Sequence, residues 1–516
     1  MNGVQLLLIV GVGIGVTAIA RRHRVEPGWI IVVLAAAASF LPGMPRLELE
    51  SELILAIVIP PLLYSATRVS SAGNFGANLR AIIYLGVVLV VLTAGALGWV
   101  ASWLLPSLGF TTAFVLGAVL APPDTITTVS HGHEIGLPKR ATSILTGESL
   151  VNDATALTLF SIAVAAANGE HTTWGGGVLE FLRTASIGLG IGWAFAIVVL
   201  ALRKRLGNPT LETALVLLLP FTAFLAAEEA HASGILAVVA AAFMVSINLT
   251  LDPKFQYPGG YLTRLREGQV WPVVDFLLET FVFAYIGLQL RFVLEDLAAE
   301  EEPGLTRTLV AAAVLTLVAI VIRLALVAGL FGRWRLRHRM MLRRSERDPR
   351  YRMAREARLA RRRGGEPLPP PTGRETLLVG WTGMRGILTL AAAAAVPEHT
   401  TSGAPFPGRD AIQAIALIVT LATLLVQGTT IGWLARRLRF DLAGEHAADA
   451  RMRATAREVV AGAAAEPAAD VDAGFEAQRL AVATAVAQRR LTEEIAREVI
   501  EDIDLRQAAR HTAHED

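Results

Sequence analysis

The chain has 516 residues, of which 53% are hydrophobic and 18% are charged, and its mean hydropathy is +0.50. Soluble domains carry roughly 25% charged residues, so this composition argues against a water-soluble protein. The sequence contains no cysteine, which excludes disulfides, thiolate metal sites and a cysteine nucleophile. The formal net charge is only +2, and the arginines are clustered in short segments. The composition therefore predicts an all-α membrane protein that crosses the bilayer many times.

Thirteen apolar segments separated by short polar loops are each interpreted as a membrane-spanning helix. They lie near residues 4–20, 29–41, 52–67, 81–104, 111–130, 142–167, 176–201, 210–230, 233–250, 270–293, 306–331, 374–396 and 411–434. Basic clusters follow alternate segments, whereas the opposite loops, such as 168–177 and 295–304, are acidic or nearly uncharged. The positive-inside rule therefore places the amino terminus outside and the carboxyl terminus in the cytoplasm. The first segment is interpreted as a span rather than a cleaved signal peptide, because basic residues follow it.

Two long polar stretches lie outside the apolar segments. Residues 333–373 are strongly basic and are predicted to form a cytoplasmic loop, which either fixes the topology or lies along anionic lipid headgroups. After Phe440 the apolar runs stop, and residues 439–516 are predicted to be a cytoplasmic tail. Helical periodicity between residues 477 and 509 favours a helical pair that regulates or dimerises, with a disordered, solvating tail as the alternative. The transmembrane domain accordingly covers residues 1–438.

The fifth segment contains proline and acidic residues that lipid does not tolerate. Pro122 and Pro123 lack amide hydrogens and precede Asp124, so the helix is predicted to break beside this carboxylate. Irregular backbone at membrane depth occurs only where it is buried in protein or lines a water-filled site, and the helix ends there provide oriented dipoles for ions. His131 and His133, at the end of this segment, are interpreted as loop residues rather than as a pH sensor. We expect Asp124 to be functional.

The sixth segment carries a cluster of polar side chains, Glu148, Ser149, Asn152 and Asp153. Spacings of three and four residues place Ser149 on the same helical face as Asn152 and Asp153, with Glu148 beside them. Oxygen ligands without histidine or sulfur suit a hard cation and suit zinc or copper poorly. The cluster therefore predicts a cation-binding site.

Three further segments place charges at membrane depth. The tenth carries Asp275 and Glu279 on one face, and the eleventh carries Arg323. Arg323 is expected either to pair with Glu279 or to have a general electrostatic role. In the twelfth, three glycines between residues 380 and 386 weaken the helix around Arg385 and predict a second interrupted helix. Interruptions seven crossings apart lie in oppositely oriented segments, which indicates inverted repeats of the kind found in secondary transporters.

Five sequence motifs together resemble one family of transporters. They are APPDTITT from Ala121, GESLVNDATAL from Gly147, AEEAHASGILAVV from Ala227, FLLETFVFAYIGLQL from Phe276 and GWTGMRG from Gly380. These motifs are similar to those of the sodium/proton antiporters of the monovalent cation:proton antiporter-1 family. The resemblance covers the membrane part and not the tail. Its most specific element is the Asn-Asp pair that follows Gly-Glu-Ser.

The resemblance implies a homodimer of thirteen-helix protomers, each with a dimerisation subdomain and a mobile core subdomain that contains the two interrupted helices. It implies that Asp153 is the essential ion-binding aspartate, with Asn152, Glu148 and Ser149 as its neighbours in the site. Asp124 resembles the aspartate on the first interrupted helix.

Two charged residues and one departure complete the comparison with the family. Arg385 resembles an arginine that pairs with the glutamate at Glu148, and it is expected either to hold Glu148 ionised or to offset the negative ends of the interrupted helices. Glu279 matches a glutamate of the tenth span. The family's usual order on the fifth span is Thr-Asp-Pro, whereas this chain has Pro-Asp-Thr. The threonine ligand that precedes the aspartate is therefore missing, and Thr125 or a backbone carbonyl is expected to replace it.

The expected function is secondary active exchange of Na+ or Li+ for H+. Burial favours the protonated form of Asp153 and a bound cation favours the ionised form, so the two ions compete for one site. The Na+ ligands are expected to be Asp153, Asp124 and Ser149. Asn152 supplies an amide where electrogenic relatives have a second aspartate, which favours electrically silent 1:1 exchange by alternating access. K+/H+ exchange is the alternative, and a cation channel is a more remote one.

No enzymatic activity, cofactor or nucleic-acid partner is expected. The sequence lacks a His-Glu-x-x-His helix and a Gly-x-Ser-x-Gly elbow, which argues against a membrane-embedded enzyme. The expected partners are the transported Na+ and H+, membrane lipids and a second copy of the chain. The expected location is the cell membrane, where such exchange serves pH homeostasis.

Overall fold

The computed structural model describes residues 3–22, 27–42, 56–125, 136–169, 174–251, 260–299, 304–361, 370–465 and 470–515. Within these ranges the chain forms helices and loops, with no β-strand. The predicted all-helical architecture is confirmed.

The described residues contain twenty-one α-helices, numbered in chain order. They are α1 Gly3–Arg22, α2 Pro27–Ser39, α3 Ile59–Arg68, α4 Ala72–Ile83, α5 Val90–Leu104, α6 Gly109–Leu120, α7 Lys139–Ala167, α8 Trp174–Leu206, α9 Pro209–Glu229, α10 Gly234–Leu251, α11 Gly260–Leu288, α12 Leu290–Ala299, α13 Leu305–Arg347, α14 Pro349–Arg361, α15 Gly373–Trp381, α16 Ile387–Ala394, α17 Arg409–Thr423, α18 Thr429–Leu438, α19 Ala443–Ala465, α20 Val471–Ala487 and α21 Glu493–Glu515. Two π-helical segments join consecutive helices, Tyr84–Leu89 between α4 and α5 and Leu424–Gly428 between α17 and α18.

Apolar helical stretches in the described ranges account for most of the predicted crossings. Seven are long and apolar enough to cross a membrane: Phe75–Leu104, Lys139–Ala167, Leu179–Leu206, Pro209–Glu229, Gly260–Ala298, Leu305–Arg347 and Arg409–Leu438. Four are shorter: Leu7–Ala20, Pro27–Ser39, Pro106–Leu120 and Gly234–Asn248. The third predicted segment is described only from residue 56, and the twelfth is divided between α15 and α16. The number of thirteen crossings therefore stays a prediction.

The basic stretch that was predicted to be a loop is largely helical. α13 continues without a break from its apolar part to Arg347, and α14 follows over Pro349–Arg361. Arginine has a high helix propensity, so a run of charged residues after a spanning helix can continue that helix. The described part of residues 333–373 is thus mainly helical, and its place on the cytoplasmic side stays a prediction.

Two compact units make up the chain, and each is assembled from separated stretches of sequence. Unit 1 comprises Met1–Gly73, Thr172–Leu288 and Asp441–Asp516, and unit 2 comprises Asn74–His171 and Gln289–Phe440. Unit 2 contains α5 to α7 and α12 to α18, so the predicted cation site and both interrupted segments lie in this one unit. Each half of unit 2 has an interrupted region between two long helical stretches.

In unit 2, α6 is held against α5 by a close helix crossing. A Cβ atom at Gly117 would lie 2.3 Å from the carbonyl oxygen of Ala94 and 2.6 Å from the backbone nitrogen of Gly98, so only glycine permits this approach. Buried apolar residues of neighbouring helices surround the crossing, among them Leu97 and Leu315. This packing fixes α6 up to the point where it ends.

A π-helical turn lies beside the middle of α7. A Cβ atom at Gly86, inside the turn, would be 2.7 Å from Cβ of Val151 and 3.2 Å from the backbone nitrogen of Asn152. Such turns occur frequently at functional sites. This one packs directly against the helical turn that carries Asn152 and Asp153.

The tail forms three helices, α19 to α21, rather than the predicted pair or a disordered segment. Their apolar faces share a core that includes Ala456, Phe475, Val482 and Ile500. An amphipathic helix must bury its apolar stripe against another element, and the three helices do this for one another. The tail belongs to unit 1.

A buried carboxylate joins the tail to α11. Arg264 of α11 donates from Nε and Nη2 to the two oxygens of Asp504, at 2.7 and 2.8 Å. Arg479 of α20 donates to the same carboxylate at 2.7 Å. The Asp504 side chain is only 1% exposed. Two guanidinium groups therefore offset the cost of burying one carboxylate.

A second group of contacts ties α21 to the connection between α3 and α4. Arg497 donates to the carbonyl oxygens of Arg68 and Ser70, at 3.0 and 3.1 Å. The backbone N–H of Gly73 donates to Oε1 of Glu493 at 3.1 Å. Carbonyls at the end of a helix lack helical partners, and a cation there is favourable. The tail therefore stabilises the end of α3.

Asp504→Asn is expected to loosen the tail from α11, because Arg264 and Arg479 lose their shared counter-charge. Breaking a buried ion pair costs about 3–5 kcal/mol. Hydrogen–deuterium exchange of the full chain should then show faster exchange in α20 and α21. The matched control is Glu498→Gln, which removes an exposed carboxylate that pairs with Arg453 and should change little. Unaltered exchange in Asp504→Asn would contradict this role.

Candidate cation-binding site

The helix of the fifth segment ends at Leu120, where the prolines predicted a break. Residues 121–125 are not helical, and all of them except Asp124 are buried. Pro122 and Pro123 supply no amide hydrogen, so this segment cannot continue the ladder of α6. Its carbonyl groups must therefore find partners outside the helix.

Contacts with α7 hold the non-helical segment 121–125 in place. Asn152 donates from Nδ2 to the carbonyl oxygen of Pro123 at 2.7 Å. The hydroxyl of Thr125 donates to the carbonyl oxygen of Leu145 at 2.8 Å. Thr125, which was expected to replace a missing cation ligand, thus uses its hydroxyl hydrogen to tether the segment to α7.

The second interruption covers residues 382–386, between α15 and α16. It contacts the first interruption directly, because the backbone N–H of Asp124 donates to the carbonyl oxygen of Met384 at 2.6 Å. A Cβ atom at Gly386 would lie 1.8 Å from Oδ2 of Asp124, so only glycine fits there. Gly386 is the N-cap of α16, and the carboxylate therefore lies at the positive end of that helix dipole.

Arg385 links the two interruptions and caps α6. Its Nε donates to the carbonyl oxygen of Leu120, the last residue of α6, at 3.0 Å. Its Nη1 donates to the carbonyl oxygen of Gly383, and its backbone N–H donates to Oγ1 of Thr423 at 3.0 Å. A positive charge at the carboxyl end of a helix offsets the negative end of the dipole. This is one of the two roles expected for Arg385.

The other expected role, a pair between Arg385 and Glu148, was wrong. Glu148 is paired with Arg323 of α13 instead, at 2.5 Å from Nη1 to Oε1 and 3.0 Å from Nη2 to Oε2. The Glu148 side chain is 0% exposed and that of Arg323 is 3% exposed. A Cβ atom at Gly383 would lie 2.4 Å from Cδ of Arg323, so a glycine of the second interruption makes room for this side chain. Arg323 thereby gains the partner that the sequence left open.

Asp153 lies on the same helix as Glu148, α7, and only 8% of it is exposed. Its carboxylate interacts electrostatically with that of Asp124. Within the described ranges, no hydrogen bond or ion pair reaches Asp153. Ser149, one turn earlier on the same helix, is also buried. Two neighbouring carboxylates that are largely removed from water repel each other unless a proton or a cation is bound.

The amide of Asn152 adds a neutral oxygen to this set. Its Oδ1 is buried and accepts no hydrogen bond within the described part of the chain. Buried acceptors without a partner are uncommon in proteins and require an explanation. Carboxylate, amide, hydroxyl and backbone oxygens together are the donor types that hard cations prefer. Among the described residues, no three His, Cys, Asp or Glu side chains form a cluster that could hold a metal ion.

Several predicted residues lie apart from this set or outside the described ranges. Glu279 and Asp275 are on α11 and therefore belong to unit 1. Asp275 accepts a hydrogen bond from the hydroxyl of Ser65 at 2.5 Å. His131 and His133 lie outside the described residues, so their interpretation as loop residues stays a prediction.

One residue of this region was missed from the sequence. Gln427, in the π-helical segment after α17, donates from Nε2 to the carbonyl oxygen of Trp381 at 2.8 Å. Trp381 is the last residue of α15. Gln427 therefore bonds the carbonyl group at the end of the helix before the second interruption, as Arg385 does at the end of the helix before the first. An amide within an apolar span was the available signal, because polar side chains at membrane depth are rare and functional.

The chain belongs to the sodium/hydrogen exchanger family, since the family model for the transmembrane sodium/hydrogen exchanger matches residues 3–437. An uncharacterised Na+/H+ exchanger of Mycobacterium tuberculosis is 31% identical over 463 residues, which cover 88% of this chain and 77% of that protein. The sodium, potassium, lithium and rubidium/H+ antiporter of Bacillus subtilis is 28% identical over 397 residues, which cover 76% of this chain and 54% of that protein. The resemblance identified from the five motifs is confirmed.

The fold is also similar to that of a solved antiporter. The structure of the sodium proton antiporter MjNhaP1 from Methanocaldococcus jannaschii superposes with a TM-score of 0.58 at 15% sequence identity, covering 84% of this chain and 97% of that one. At this identity the comparison shows the fold alone. Together with the family match, it confirms a helical, membrane-embedded transporter of the cation/proton antiporter class.

Arg323→Met is expected to lower the free energy of unfolding by about 3–5 kcal/mol, because it leaves the buried charge of Glu148 without a partner. Thermal denaturation of the purified full chain should show the loss as a lower Tm. The double variant Glu148→Leu with Arg323→Met should recover part of it, since no unpaired charge remains. Arg307→Met, at an exposed position on the same helix, is the control. A double variant whose free energy of unfolding falls by the full sum of the losses in Arg323→Met and Glu148→Leu would contradict a direct pair.

Proposed function

We propose that the protein exchanges Na+ or Li+ for H+ across the cell membrane, with the cation and the proton competing for Asp153. The observation that carries this proposal is that the buried carboxylate of Asp153 interacts electrostatically with that of Asp124, at the meeting point of two interrupted segments. Secondary transporters commonly bind their ions at such interruptions, where helix ends and free backbone oxygens converge. Membership in the sodium/hydrogen exchanger family supports the same ions.

The charges of the site favour one monovalent ion at a time. At their ordinary charges, the two arginines and three carboxylates of the site sum to −1: Arg323, Arg385, Glu148, Asp124 and Asp153. One proton or one alkali cation brings the sum to zero. A neutral site crosses the membrane interior at a lower electrostatic cost than a charged one. We therefore assign an electroneutral 1:1 exchange.

Coupling follows from the same electrostatics. Burial disfavours the ionised carboxylate of Asp153, so a proton or a cation must compensate its charge before the site leaves water. In an alternating-access cycle, unit 2 exposes the loaded site to each side of the membrane in turn, and the empty site does not cross. Exchange then requires no further coupling device.

Of the expected ligands, we assign direct cation contact to Asp153, Asp124 and Ser149, with the free Oδ1 of Asn152 as a further oxygen. Glu148 has both oxygens engaged by Arg323, so we assign it a positioning role rather than cation contact.

K+ is the alternative substrate. The relative from Bacillus subtilis is named for potassium as well as sodium, lithium and rubidium, which supports K+ as the alternative.

We further propose that the chain works as a homodimer in the cell membrane, with the amino terminus outside and residues 439–516 in the cytoplasm, and that its exchange contributes to pH homeostasis. The basic clusters after alternate apolar segments support this orientation.

Asp153→Asn is expected to abolish exchange, because the amide can neither release a proton nor neutralise a cation. The measurement is cation-induced dequenching of a pH-sensitive dye in proteoliposomes, with Na+, Li+ and K+ tested in turn. Asp410→Asn, which changes an exposed aspartate of α17 in the same unit, is the matched control and should retain activity. Sodium-driven proton movement in Asp153→Asn would refute the one-site scheme.

Competition for one site also fixes the pH dependence of the wild type. On the acidic side of the profile, the half-saturating Na+ concentration should rise about tenfold for each unit by which pH falls, because metal binding must displace a proton. The same dye assay, run over a series of pH values, gives this slope. A half-saturating concentration that does not depend on pH would rule out direct competition.

Asn152→Asp is expected to make exchange sensitive to membrane potential, because the site then carries one additional titratable carboxylate. The measurement compares dye dequenching with and without a potassium-diffusion potential set by valinomycin, with Na+ as the substrate. Asn152→Ser, which adds no charge, is the control. Active but still electrically silent exchange in Asn152→Asp would show that this position does not set the charge count.

A further inference from the structure

The helix α13 is longer than a bilayer is thick. It has 43 residues, which at about 1.5 Å per residue corresponds to roughly 64 Å. A bilayer with its headgroup layers is about 40–45 Å thick. The apolar part, residues 305–331, accounts for roughly 40 Å of this length. The arginine-rich end therefore starts at the headgroup layer and continues beyond it.

One side of this end combines arginines with exposed apolar residues. Spacings of three, four and seven residues bring six side chains onto one face of the helix, here named the basic face. They are Arg333, Leu336, Arg337, Met340, Arg344 and Arg347, and all are exposed. Leu336 and Met340 are 58% and 52% exposed. The opposite side of the helix is the packed one, where Phe331 and Ser345 are buried.

The described part of the chain provides no acidic partner for the basic face. Within the described residues, none of its four arginines forms an ion pair. Arg344 only lies over the ring of Tyr351, at 4.9 Å from the ring centroid. Guanidinium groups bind phosphate through paired hydrogen bonds, and exposed Leu and Met side chains favour the boundary between headgroups and acyl chains. The face therefore matches a ligand that carries both a phosphate and an acyl chain.

We propose that the first two turns of the basic face bind the headgroup of an anionic phospholipid of the bilayer that α13 crosses. The acyl chains lie beside the apolar part of the helix, so the headgroup reaches Arg333 and Arg337, with Leu336 and Met340 against the upper chain segments. Arg344 and Arg347 lie at least about 10 Å further along the axis than Arg337. That distance exceeds the reach of one headgroup and the Debye length of about 8 Å in physiological salt.

This proposal is distinct from a role of the arginines in topology alone. A topological signal needs positive charge near the end of the span and is indifferent to which helical face carries it. A lipid site requires the charges and the apolar residues on the same side, next to the point where the apolar part ends. The basic face meets this second requirement.

The test is native mass spectrometry of the purified, delipidated full chain, titrated with phosphatidylglycerol or with phosphatidylcholine of the same acyl chains. The first variant is Arg333→Gln with Arg337→Gln. The matched control is Arg344→Gln with Arg347→Gln, which removes the same charge from the same face further from the bilayer. All four positions are exposed, so both variants should keep the wild-type melting temperature, which is measured alongside.

The wild type is expected to bind phosphatidylglycerol more tightly than phosphatidylcholine. The first variant should weaken phosphatidylglycerol binding by about fivefold for each arginine removed, while the control variant stays close to the wild type. Unchanged phosphatidylglycerol binding in the first variant would overturn the proposal. An equal loss in both variants would also overturn it, because it would show a diffuse attraction rather than a site at the first two turns.

Discussion

Backbone groups at membrane depth have no water to bond with, and each one that is left without a partner costs several kcal/mol. The two interrupted segments meet this constraint with donors from the protein itself. Arg385 bonds the carbonyl that ends α6, Gln427 bonds the carbonyl that ends α15, and Asn152 bonds that of Pro123. These same side chains come from α7, from the second interruption and from the π-helical segment after α17. Satisfying the backbone therefore also fixes Asp153, next in the chain to Asn152, near the first interruption.

The buried pair of Glu148 and Arg323 gives the site a nearly neutral background. A buried ion pair adds little net stability, since desolvation offsets most of the attraction, but removing one partner is costly. Both oxygens of Glu148 are engaged and Arg385 is directed at backbone carbonyls, so in the proposed exchange the charge that changes is confined to Asp153 and Asp124. The charge that stays constant and the charge that titrates thus lie on different side chains.

The sequence predicted the features that depend on local chemistry. The break after Leu120 follows from two prolines, and the second interruption follows from its glycines, because these residues act on the backbone where they stand. The partner of Glu148 could not be predicted, since Arg323 and Arg385 are both arginines at membrane depth and only the packing distinguishes them. The docking of the tail through Asp504 was missed for the same reason, because a buried aspartate and a solvated one look alike in a charged helix. The arginine-rich end of α13 was predicted as a cytoplasmic loop from its charge alone, and its helical conformation follows from the high helix propensity of arginine.

The order Pro-Asp-Thr in the first interruption has a consequence for the choice of ion. The hydroxyl of Thr125 is a donor to Leu145, and the Pro123 carbonyl already accepts from Asn152. Both of these oxygens are neutral, so the carboxylates of Asp153 and Asp124 supply most of the attraction for a cation. Selectivity among alkali cations depends on the number and the field strength of the coordinating oxygens. Two carboxylates form a site of high field strength, which attracts the small ions Na+ and Li+ more strongly than the larger K+, and this is the physical basis for proposing Na+ or Li+ before K+.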